Sequence, residues 1–80
     1  MTNHAGIEIK AGNWVATRPG VGDGYDADSG VVVSVDQAGA RVRWSNGLHT
    51  TVTGREVDVF DAREAAAKAA RQIQADRGHR

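Results

Sequence analysis

The sequence predicts a mainly β protein, a five-stranded small barrel followed by one C-terminal α-helix. All ten valines and nine of the ten glycines precede Asp61. They fall in short apolar runs broken by Gly, Asp and Asn, the pattern of strands and tight turns. Beyond Asp61 the chain is alanine-rich, with no valine and a single glycine, Gly78, which suits one helix. Five short strands in so small a chain favour closure, because closing a sheet removes its vulnerable edges. The 80 residues have room for one domain. The expected organisation is an arm at 1–10, a barrel at 11–60, a helix at 61–77 and a tail at 78–80.

The strands are expected at 13–18, 30–36, 40–44, 48–53 and 57–60, with an extended piece of the arm at 7–10. In 30–36, Val31, Val33 and Val35 alternate with Val32, Ser34 and Asp36, so the first set is expected to face the core. In 40–44, Val42 and Trp44 alternate with Arg41 and Arg43, which places the arginines outward and Trp44 in the core. In 48–53, Leu48, Thr50 and Val52 alternate with His49, Thr51 and Thr53.

Alternation also fixes the hairpin register. A two-residue Asn46-Gly47 turn would set Arg43 opposite Thr50 and bring arginines onto the face of Leu48 and Val52. A three-residue loop, Ser45-Asn46-Gly47, pairs Trp44 with Leu48, Val42 with Thr50 and Ala40 with Val52, so every apolar residue shares one face. Gly47 then takes the left-handed position that this loop requires.

The helix has start and stop signals. Asp61 is the expected N-cap, and Glu64 completes a capping-box-like pair. Glu64 and Lys68 are spaced i,i+4 in the favoured order. Lys68, Arg71 and Arg77 suit the C-terminal end of the dipole, and Gly78 suits the stop. The expected apolar face is Ala62, Ala65, Ala66, Ala69, Ala70 and Ile73. Its small side chains bury little area, so the stripe is expected to meet either Trp14 of the barrel or the same stripe of a second copy.

Composition excludes several function classes. Ten basic residues balance ten acidic ones, which removes the simplest argument for nucleic-acid binding, a strongly basic domain. The balance is uneven along the chain. Residues 1–40 hold two basic and five acidic groups, net −3, whereas residues 61–80 hold five and three, net +2. The chain has no cysteine, so disulfides, thiol chemistry and cysteine zinc sites are excluded. No apolar run approaches the roughly 18 residues of a membrane span, and the first ten residues lack the pattern of a signal peptide. A cytoplasmic protein without membrane contact is therefore expected. Eight arginines against two lysines lean toward a bacterial or phage origin.

The segment Gly12-Asn13-Trp14-Val15-Ala16-Thr17-Arg18 resembles the opening G-D-x-V strand of SH3-like small barrels, with Asn13 where Asp is usual. Gly30-Val31-Val32-Val33-Ser34-Val35 resembles their second strand. Val42-Arg43-Trp44-Ser45-Asn46-Gly47 is similar to the V-x-W-x-[DN]-G hairpin of Tudor-, KOW- and Mib/Herc-like barrels. Residues 53–57 match the short helical turn before the last strand. The resemblance covers residues 11–60 and leaves the C-terminal helix unexplained. It implies a non-enzymatic module that binds peptides, methylated side chains or nucleic acid.

Three sets of residues could carry function. The loop at 18–30 holds Asp23, Asp26 and Asp28 with Tyr25, an acidic, aromatic-bearing surface suited to a basic peptide; Trp14 would complete half of an aromatic cage. The same residues equally suit a solvated loop, with Trp14 packed beneath the helix. Arg41, Arg43 and His49 share the outward face of the hairpin, a ridge of phosphate-capable donors that Arg63 and Arg71 of the basic helix would extend. That face carries no aromatic for base stacking and equally suits a solvated surface. The alanine stripe is the third. His4, His49 and His79 show no metal-ligand spacing, residues 26–30 lack the correctly placed glycine and the closing glutamate of a calcium loop, and no serine lies in a local nucleophile arrangement. Residues 20–24 lack the lysine and helix of a phosphate loop.

The expected function is therefore a binding module without catalytic residues, metal or cofactor. It would engage a protein or peptide partner through Trp14, Asp23, Tyr25, Asp26 and Asp28. The first alternative is a nucleic-acid-binding barrel using Arg41, Arg43, His49, Arg63 and Arg71. The second is a small phage or bacterial assembly protein, a homo-oligomer joined through its alanine helix.

Overall fold

The computed structural model describes residues 2–3, 6–18 and 28–78, the last three as backbone only. Five antiparallel strands form one sheet, followed by one helix. The strands are β1 (Trp14–Thr17), β2 (Ser29–Asp36), β3 (Gly39–Trp44), β4 (His49–Val52) and β5 (Val57–Phe60), and the helix is α1 (Arg63–Gly78). Their order across the sheet is β4-β3-β2-β1-β5, so the first strand joins the last to the β2–β4 meander.

The sheet carries a cluster on each face, the outer one over part of its width. Ile9, Val15, Val32, Ala40, Val42, Val52 and Val57 form the buried inner core, with Val35, Trp44 and Val59 packed against it. On the outer face Ala16, Ala66 and Ala70 form a second cluster, flanked by Trp14, Phe60 and Ala69. Ala66 and Ala70 are spaced i,i+4, so they stand one above the other on α1. Their small side chains let the helix approach β1, while Trp14 and Phe60 supply the large apolar side chains. The alanine stripe thus meets Trp14 of its own chain.

Two expectations about α1 are corrected. It begins at Arg63, and its first backbone bond runs from the Ala66 N–H to the Ala62 carbonyl. The cap is therefore Ala62, one residue after Asp61, and the Asp61–Glu64 pair falls out of capping register. Ala62 and Ala65 are exposed, while Ala66, Ala69, Ala70 and Ile73 are buried or partly so. Entering α1 straight from β5 fixes which side of the helix meets the sheet, and the first turn overhangs it.

The face expected for β2 is also corrected. Val32, not Val31 or Val33, is buried in the core at 2% exposure, and Val33 is 43% exposed. The ladder pairs Val32 with Val42 and then Ser34 with Arg41, a bulge that leaves Val33 opposite no residue. One extra residue reverses the parity of alternation. Val35 therefore points to the core as expected, and Val31 points outward.

The hairpin register is as the alternation predicts. Val42 pairs with Thr50 and Ala40 with Val52, and the Trp44 N–H donates to the Leu48 carbonyl at 2.9 Å. Gly47 has φ of 89°, in the left-handed region that side chains resist. Leu48 lies on the apolar face but beyond the core, and it is 62% exposed. Trp44 is half-buried, with its indole N–H donating to Thr50 Oγ1 at 2.7 Å.

The arm is built into this core through Ile9. Its earlier part crosses the turn at 53–56, where a Cβ on Gly54 would stand 2.0 Å from the Thr2 carbonyl oxygen. Only a glycine there lets the two backbones touch. Within the arm, the side-chain oxygen of buried Asn3 accepts the Ile7 N–H at 2.9 Å.

Candidate functional site

The pairing registers place five residues in one row across the sheet. Phe60 of β5 pairs with Trp14 of β1, Trp14 with Val31 of β2, Val31 with Arg43 of β3, and Arg43 with His49 of β4. Directly paired residues project to the same face, so all five stand on the outer face. The expectation that this face holds no aromatic is thereby corrected. Trp14 shares it with Arg41, Arg43 and His49. The hairpin alone could not reveal this, because β1 joins β2 through a long connection that sets no register.

Helix α1 covers this face over β1, β2 and β5, and it leaves the β3–β4 part open. A cleft of about 360 Å³ lies at the step, lined by Trp14, Val31, Arg43, Trp44, Ser45 and Arg63 among others. Arg63 reaches it because α1 starts three residues after Phe60, the cross-strand partner of Trp14. The indole of Trp14 is backed by the alanine cluster, which fixes one wall. Gly30 also lines the cleft; a Cβ there would stand 2.5 Å from the Arg43 carbonyl oxygen, so its absence brings β2 and β3 close at this end.

The charged side chains lining the cleft are Arg43 and Arg63, and the Asp28 carboxylate lies at its edge, bonded to Ser29 and Ser45. Arg41, Arg43, Arg63, Lys68 and Arg71 form no ion pair among the described residues, whereas Lys10 pairs with Glu8 and Arg18 with Asp58. Arg63, Lys68 and Arg71 continue the basic surface along α1, with Glu64 beside them. Arg41 stands two residues from Arg43 on the same face, between Ser34 and Thr51. It does not line the cleft, nor does His49.

The carboxylate of Asp28 is turned to structural use. It accepts the Ser29 N–H at 2.7 Å and the Ser45 hydroxyl, and its backbone bonds to Thr17. These contacts tie the start of β2 to the β3–β4 turn through Oδ1 of the carboxylate. Of the residues expected to form an acidic site, Trp14 and Asp28 are described; Asp23, Tyr25 and Asp26 lie outside the described residues, as do His4, His79 and residues 20–24. Trp14 lines the cleft with Arg43 and Arg63, and with Ser29 and Ser45, to which the Asp28 carboxylate is bonded.

Among the described residues no group of three or more His, Cys, Asp or Glu side chains converges on a metal position. No described helix is long and apolar enough to cross a membrane. Comparison with protein-family models, with curated proteins and with solved structures yields no match.

The residues that sequence reasoning missed are Val31, Trp44 and Ser45 as walls of the cleft. The signal for Val31 was the possibility of a bulge in the unbroken run Val31-Val32-Val33, a stretch whose parity alternation cannot fix.

Proposed function

We propose that the chain is a non-enzymatic binding module of the SH3-like small-barrel kind that engages nucleic acid through its outer sheet face. The observation that carries this is the row Phe60–Trp14–Val31–Arg43–His49, with Arg63 facing it across the cleft. Arginines without an ion pair among the described residues suit phosphate oxygens, which accept charge-assisted hydrogen bonds from the guanidinium fork. A neutral net charge does not oppose the proposal, because the basic groups are gathered on α1 and β3. The five-stranded antiparallel sheet, in which β1 joins β5 to the β2–β4 meander, supports the small-barrel assignment. The protein-partner alternative draws on an acidic, aromatic-bearing loop, of whose expected site residues Asp28 is described, with Oδ1 engaged by Ser29 and Ser45.

Anisotropy of a labelled mixed-sequence oligonucleotide, titrated with the full chain at several salt concentrations, tests the proposal. Binding should fall linearly with log salt, with a slope of about −2 when Arg41, Arg43 and Arg63 each neutralise one phosphate of a single strand. Absence of binding at low salt overturns the proposal and returns the basic face to solvent.

A further inference from the structure

The shape of the site narrows the class of nucleic acid. Trp14 and Arg43 do not stand on a protruding element. They line a concavity between the first turn of α1 and the β3–β4 turn, and its volume of about 360 Å³ is at the small end of ligand clefts, about 300–1,000 Å³. A duplex is read by a helix or ribbon that enters a groove, and its stacked bases offer no free face to an indole set back in a cleft. A single strand offers both a free base face and a flexible backbone.

The placement of side chains agrees with such a ligand. Trp14 and Arg43 are two strands apart, roughly 10 Å at about 4.8 Å per strand, a span that one nucleotide covers from base to phosphate. The alanine cluster behind Trp14 holds the indole in place, so little side-chain freedom is lost on stacking. Trp44, by contrast, is anchored to Thr50 through its indole N–H and packs toward the inner core.

Resting on the nucleic-acid assignment above, we infer that the cleft takes one unpaired base of single-stranded nucleic acid, stacked on Trp14, with the adjoining backbone phosphates held by Arg43 and Arg63.

The test compares three probes of equal length against the full chain at one low salt concentration: oligo-dT, an abasic sugar-phosphate strand and a mixed-sequence duplex. Oligo-dT should bind about ten-fold or more tightly than the abasic strand, the scale of one base–aromatic stack, and more tightly than the duplex. Tryptophan fluorescence should be quenched by oligo-dT in the wild type, and the quenching should be lost in Trp14→Leu. Equal affinity for all three probes overturns the inference while leaving general phosphate binding intact. So does quenching that survives Trp14→Leu. No binding of any probe overturns the nucleic-acid assignment itself. The comparison of probes on the wild-type chain needs no variant, so it remains decisive if Trp14→Leu fails to fold.

Discussion

Trp14 and Arg43 stand on either side of Val31 in a single cross-strand row, although 28 positions separate them in the sequence. The bulge in β2 lets both meet at one face. It turns Val31 outward to bridge them and still delivers Val32 and Val35 to the core. An aromatic surface and a guanidinium are thereby joined at a cleft edge, and the first turn of α1 adds Arg63.

The basic side of the cleft is tested by Arg43→Ala combined with Arg63→Ala. The pair should flatten the log–log salt dependence of single-strand binding by about 1.4, two contacts at about 0.7 each. Arg55→Ala, at the turn before β5 and outside the cleft, should leave the slope unchanged. Measured slopes that are the same for both variants would place the phosphate contacts elsewhere.

Gly47 isolates backbone strain from steric clash. Its φ is 89°, and nothing lies within 4 Å of the position a Cβ would take. Gly47→Val should lower stability by about 1–2 kcal/mol, and Gly47→Asn should cost much less, since Asn tolerates the left-handed region. Urea unfolding of the two variants checks this; equal losses would mean that something other than φ sets the cost.

Gly30 presents the opposite case. A Cβ there would meet the Arg43 carbonyl oxygen at 2.5 Å and Val42 Cγ1 at 2.7 Å, and the first of these is backbone that cannot swing aside. Gly30→Ala should cost about 1–3 kcal/mol through overpacking. It should also weaken ligand binding, because the β2–β3 spacing that shapes the cleft must widen. Unfolding and binding measured on the same variant should both change.

The alanine stripe gives a fourth test. Ala66 is fully buried between α1 and the sheet, so Ala66→Glu places a charge where no partner waits, at a cost on the order of 3 kcal/mol or more. The melting temperature should fall while the mass by sedimentation stays that of the wild type. A fall in mass with stability preserved would instead make the stripe a contact between copies.

Sequence patterning made the hairpin legible because its strands are joined by a short loop, where alternation and turn chemistry constrain the same register. The fold class, the outward arginines and the presence of a C-terminal helix were legible for similar local reasons. The face of β2 was not, because three consecutive valines carry no parity and the bulge among them has no signature of its own. Trp14 was separated from the arginine ridge for a related reason. Its register against Val31 is set by tertiary packing across a long connection, not by a turn. The start of α1 was misplaced by a reasonable local signal, Asp61 with Glu64, which packing of Ala66 and Ala70 on Ala16 overrides.

The proposed ligand site is the outer face around Trp14, Arg43 and Arg63. Its most direct test is a ¹H–¹⁵N NMR titration of the full chain with oligo-dT, following backbone amides and the two indole N–H groups. The largest shifts are expected at the Trp14 indole and at the amides of Val31, Arg43 and Arg63, with the 36–39 turn unmoved. Shifts centred on that turn or on residues 53–56, with the Trp14 indole unchanged, would contradict that placement.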